Sequence, residues 1–132
     1  MILSYEPLSI LTGLTPLHCA TMSQNLAIVK VLLASNADVT TRNARGQTAL
    51  ILASIIGSHD IVGSLLAHRS NISDKNALGT TSLIAAARGG HVDVVKLLVE
   101  GGADLNARDC LGRTALYEAA YYGQTDIVKY LL

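Results

Sequence analysis

The chain repeats itself every 33 residues. Gly13, Gly46, Gly79 and Gly112 are evenly spaced, and two residues after each stands Thr15, Thr48, Thr81 or Thr114. Leu17, Leu50, Leu83 and Leu116 recur in the same register, as do Ala20, Ala53, Ala86 and Ala119. The second half of the unit repeats too: Ile28-Val29, Ile61-Val62, Val94-Val95 and Ile127-Val128, followed by Leu32-Leu33, Leu65-Leu66, Leu98-Val99 and Leu131-Leu132. A unit this short cannot bury an apolar face alone, so copies must stack side by side and share one continuous core. The period therefore sets the architecture before composition is consulted.

Each threonine suits a helix N-cap, where its hydroxyl accepts from an orphan backbone N–H, and Pro16 sits where a first-turn proline costs nothing. The first helix of each unit is expected to start there. It should stop at Gly57, Gly90 and Gly123, which can take the left-handed conformation that closes a helix. The first copy has Gln24 at this place, and the neighbouring Asn25 is expected to supply the left-handed turn. The second helix carries its apolar pairs at i, i+1, i+4 and i+5, a stripe wide enough to bury one face. On its outer face Asp93 with Lys96 and Asp126 with Lys129 read as i,i+3 pairs worth about 0.2 to 0.5 kcal/mol each. The second copy is expected to be the soft one. Gly63 falls inside its second helix, at about 1 kcal/mol against alanine, and Arg69 stands where other copies have Gly102 or Asn36.

The residues that carry this pattern resemble the ankyrin repeat family. Its signature is present as Thr15-Pro16-Leu17-His18-Cys19-Ala20 and degrades to Thr48-Ala49-Leu50-Ile51, Thr81-Ser82-Leu83-Ile84 and Thr114-Ala115-Leu116-Tyr117. The family's second half is best matched by Gly90-His91-Val92-Asp93-Val94-Val95-Lys96-Leu97-Leu98, then Gly102-Ala103-Asp104-Leu105-Asn106. The resemblance implies an all-α solenoid of helix-turn-helix units with β-turn or hairpin fingers, divided as 13–45, 46–78, 79–111 and a truncated 112–132. It also implies that His18 makes hydrogen bonds between units. Residues 1–12 form an N-terminal extension, in which Leu8, Ile10 and Leu11 are expected to fold over the first unit as an improvised cap.

Nothing in the sequence assembles a catalytic, cofactor or metal site. His18-Cys19 is the only adjacent Cys and His pair, and successive helix residues do not face each other. His18, His59, His68 and His91 are spread over three units with no metal-ligand spacing, and no phosphate-binding glycine motif is present. We expect no enzyme activity, no cofactor and no small-molecule substrate. Ten Lys and Arg balance ten Asp and Glu, so no charge-driven grip on nucleic acid or membrane is expected. The most membrane-like window, Thr48 to Ala67, carries His59 and Asp60, and an aspartate there costs about 2.5 to 3.5 kcal/mol. Cys19 and Cys110 are too few for a disulfide framework, which points to a cytoplasmic or nuclear setting. Asn71-Ile72-Ser73 is read as an ordinary loop.

What remains is a surface. The resemblance places the partner-binding residues on the fingers and the end of the first helix: Arg45, Gln47, Leu78, Leu111 and Arg113 on the former, Met22, Ile55, Ile56, Arg88, Tyr121 and Tyr122 on the latter. So many apolar side chains exceed what a solvated face needs, and Tyr, Met and Arg are favoured at interfaces. We expect a scaffold or adaptor that binds a protein or peptide in a concave groove, with Arg45, Arg88 and Arg113 forking onto acidic groups of the partner. Two alternatives are an inhibitor that occludes an enzyme such as a kinase, and a targeting segment of a larger multidomain protein. Leu98 to Asn106 resembles the site that an asparaginyl hydroxylase modifies in ankyrin domains, with Asn106 the target. The bare apolar end after Leu132 is expected to belong to a longer array or to self-associate.

Overall fold

The computed structural model describes residues 13–132, so the expected cap of Leu8, Ile10 and Leu11 lies outside the described residues. Eight helices are present in that span, two per unit. The first helices are α1 (Pro16–Met22), α3 (Ala49–Ile56), α5 (Ser82–Gly89) and α7 (Ala115–Tyr121). The second helices are α2 (Leu26–Ala34), α4 (His59–Ala67), α6 (Val92–Glu100) and α8 (Thr125–Leu131). Each helix packs on its unit partner and on its counterpart in the next unit, giving an inner layer of first helices and an outer layer of second helices. The inner layer packs more extensively than the outer, helped by Ala53, Ala86 and Ala119, which are fully buried and let the helices approach closely.

The core follows the period. Leu17, Leu50 and Leu83 are buried, as are Val29, Val62 and Val95, and each such side chain contributes about 1.5 to 3 kcal/mol. All four threonines cap their helices, accepting from the backbone N–H of His18, Ile51, Ile84 and Tyr117. His18 reaches back to the Thr15 N–H through Nδ1, which puts its proton on Nε2, 2.9 Å from the Gln47 carbonyl of the next unit. The link between units implied for His18 is therefore present.

Two local expectations are corrected. Gln24 itself takes the left-handed turn, at φ 56°, while Asn25 stays at φ −91° and caps α2 by accepting from Ile28 N–H. Capping satisfies an N–H that has no partner within the helix, so the asparagine is better used there than in the turn. The lysines of the outer face also do not pair with their i−3 aspartates: among the described residues no ion pair joins Asp93 to Lys96 or Asp126 to Lys129. Lys96 instead places its ammonium 5.7 Å over the Tyr130 ring, an attraction of the same size or larger. Arg69 holds φ 66°, but Gln24 and Asn36 of the first unit hold 56° and 63°, so this strain is not peculiar to the second copy.

The fingers between units repeat one turn. Asn43, Asn76 and Asp109 each use Oδ1 to accept from the N–H groups two and four residues on. Successive fingers are joined by backbone bonds of 3.0 Å, from Ala77 N–H to the Arg45 carbonyl and from Cys110 N–H to the Leu78 carbonyl. Gly46 needs to be glycine twice over: it holds φ 74°, and a Cβ would press on the backbone of Ala77. Arg42 and Lys75 add side-chain bonds to the carbonyls of Lys75 and Arg108, one unit further on.

Candidate interaction surface

The finger turn aims its tip residues outward. Arg45, Leu78 and Leu111 occupy the same place in successive fingers, and Leu78 and Leu111 are 63% and 71% exposed. Beside them runs a second row from the ends of α1, α3, α5 and α7: Met22, Ile55, Arg88 and Tyr121. Met22 and Ile55 are about two-fifths exposed and Tyr121 71%. Tyr121 lies parallel to Tyr117 with ring centroids 6.3 Å apart, and Tyr122 meets it edge-on at 5.0 Å. The two rows form a strip whose apolar side chains lie outside the buried core.

Several residues expected on this strip are engaged internally. Gln47 is half-buried, accepts from the Asn43 side chain and gives its carbonyl to His18. Ile56 is half-buried. Arg88 and Arg113, expected to grip acidic groups of a partner, meet acids of their own chain. Arg88 Nη2 lies 2.9 Å from Glu118 Oε1, and Arg113 Nε lies 2.9 Å from Asp109 Oδ2 and 3.4 Å from Glu118 Oε1. Both carboxylates are 1% exposed while both guanidiniums keep about a third of their surface. Two buried negative charges need two positive ones beside them, so the cluster is neutral and the arginines are not free forks. Arg45 makes no ion pair among the described residues and is the arginine of the three left to meet an acidic group.

The signal for this cluster lies in comparison across units. Asp109 replaces Asn43 and Asn76, Glu118 replaces Cys19, Leu52 and Ala85, and Arg88 replaces Met22 and Ile55. Charges thus appear together at places uncharged elsewhere. Burial pushes the Asp109 carboxyl up, but the Arg113 N–H and guanidinium and the Leu111 N–H more than offset it and hold it below the usual carboxylate range.

Asn106 is exposed in the loop after α6, where its N–H donates to Asp104 Oδ1 at 2.9 Å. Thr40 with Asp38 and Ser73 with Asn71 make the same turn, so this loop is part of the repeating frame. Cys19 and Cys110 are both exposed and free. No helix among the described residues is long and apolar enough to cross a membrane.

Stacked helix pairs, threonine caps and bonded fingers define a helical-repeat solenoid of the kind that displays a surface rather than a cavity. The family model described as Ankyrin repeats (3 copies) matches residues 3–76 and 57–132. The chain belongs to the ankyrin repeat family, whose members are protein-protein interaction modules. No curated protein matches the chain.

Proposed function

We propose that the protein is a non-catalytic adaptor that holds a segment of a partner protein along the strip between the finger tips and the ends of the inner helices. The observation that carries this reading is the exposure of Leu78, Leu111 and Tyr121 beside Ile55 and Met22, all of them outside the buried core. The apolar middle of the strip, with Arg45 at its first finger, suits a segment of apolar side chains with an acid at one end. Because Arg88 and Arg113 are neutralised, the other end does not select for acids.

The test is Leu78→Asp combined with Leu111→Asp. Both residues are exposed, so the unfolding temperature is expected to stay unchanged while a partner captured by the wild-type protein is lost. Undiminished capture of that partner would move binding off the strip.

A further inference from the structure

Gly63 alone among the described glycines has neither a left-handed φ nor a close neighbour. A Cβ there would meet only Leu97 Cδ2, at an ordinary 3.7 Å. It lies inside α4, where glycine costs about 1 kcal/mol against alanine. The corresponding residues of the other units are Lys30, Lys96 and Lys129, whose apolar stems would cover the helix surface. Over this bare backbone lies an open hollow of about 490 Å³ across α2, α4 and α6, lined by the apolar Leu26, Ala67 and Leu97 and the polar Lys30, His59 and Asp60. It continues past His59 into a second hollow of about 200 Å³ bounded by Asp93, Lys96, Leu97 and Glu100.

The rim charges are uneven. Asp93 and Glu100 make no ion pair among the described residues, and Asp60 has only His59, at 3.3 Å. Lys30 lines the larger hollow, and Lys96, which lines the smaller one, holds its ammonium over the Tyr130 ring, so three carboxylates share the rim with two ammonium groups. An apolar floor whose rim carries one carboxylate more than it has ammonium groups complements a basic amphipathic surface. Helices pack on helices at about 8 to 10 Å, and a glycine at the contact admits a large side chain from the partner.

From these observations we infer that the outer layer carries a second docking site, which receives an amphipathic helix of a partner protein. That helix sets one large apolar side chain over Gly63 and basic residues against Asp60, Asp93 and Glu100. The site shares no residue with the finger strip, so its failure and that of the strip are separable.

The probe is a Leu/Lys amphipathic helix of about 18 residues, long enough to hold helical form, added to the folded chain. A Leu/Glu helix and an Ala/Lys helix of the same pattern are the comparisons. Binding is read by calorimetry and by amide chemical shifts. The Leu/Lys helix is expected to shift the amides of Gly63, Ser64 and Leu97 and to bind better than either comparison. Gly63→Gln, which refills the hollow without adding charge, is expected to weaken binding about tenfold or more without lowering the unfolding temperature, since glutamine is the better helix former. Asp93→Asn with Glu100→Gln is expected to weaken it several-fold and flatten its salt dependence. Leu78→Asp is expected to leave it unchanged. Wild-type affinity in Gly63→Gln, shifts confined to the finger tips, equal binding of the Leu/Glu helix, or no binding of the Leu/Lys helix would each overturn the inference.

Discussion

Two glycines one helix apart respond oppositely to the same methyl group. Gly57→Ala places a Cβ in a left-handed turn and against the His91 ring, whose Nε2 bonds the Ile55 carbonyl at 3.0 Å. It is expected to lower stability by about 1 to 2 kcal/mol. Gly63→Ala, with helical backbone and free space, is expected to raise it by up to about 1 kcal/mol. Urea titration of both variants checks the signs. At the buried charges, Glu118→Ala leaves Arg88 with only the more distant Asp109, at 4.0 Å, and is expected to cost about 3 kcal/mol, the low end for a broken buried pair because both arginines keep solvent contact. Asp109 contributes to the acid limit, together with Asp38, whose carboxyl the Thr40 hydroxyl and N–H also hold low. Each native value is lowered, so the unfolded chain takes up the proton first; the stabilisation is complete above the unfolded value and is lost as pH falls through the native one. Stability is therefore expected to fall from about pH 4 downward. Asp109→Asn, the residue type of the other fingers, should flatten that limb of the urea midpoint curve. The threonine caps were legible because a cap is decided within four residues. The destination of Arg88 was not, since its acids arrive from the next finger and the next helix, and a register read one unit at a time does not reveal what faces it.

At the level of elements, the helices follow from the sequence and the fingers only through family resemblance. A helix writes its apolar stripe into consecutive residues, whereas the finger is held by one side-chain oxygen accepting two N–H groups, with a single isolated bridge among the described residues, Lys75 to Thr81, where a strand pair would otherwise be read. The chemistry at that oxygen can be tested directly. Asn76→Ala removes the acceptor of the Leu78 and Thr80 N–H groups and, because water can reach the exposed Leu78 N–H, is expected to cost about 1 kcal/mol. Asn76→Asp should retain most of the stability, because Asp109 performs the same task. Chemical denaturation of the two variants distinguishes loss of the acceptor from loss of the amide.

For the molecule as a whole, the surface of the fourth unit differs from the rest. Tyr117 is 52% exposed at a place where Ile51 and Ile84 are buried, and Leu132 is 87% exposed. Joining a further unit with a polar outer face after Leu132 is expected to cover this surface, raise the unfolding temperature and reduce association seen by light scattering; an unchanged temperature would show that the surface is tolerated as it stands. The two bonds between fingers carry a different consequence. Ala77 N–H is shielded only while the fingers on either side of the second unit stay in place, and Cys110 N–H only while those on either side of the third do. Each amide proton can therefore trade with deuterated water when its own junction parts, whether or not the rest of the array stays closed. Comparing the two exchange rates would measure separately how often each junction opens, and would place the weakest joint of the stack without any substitution.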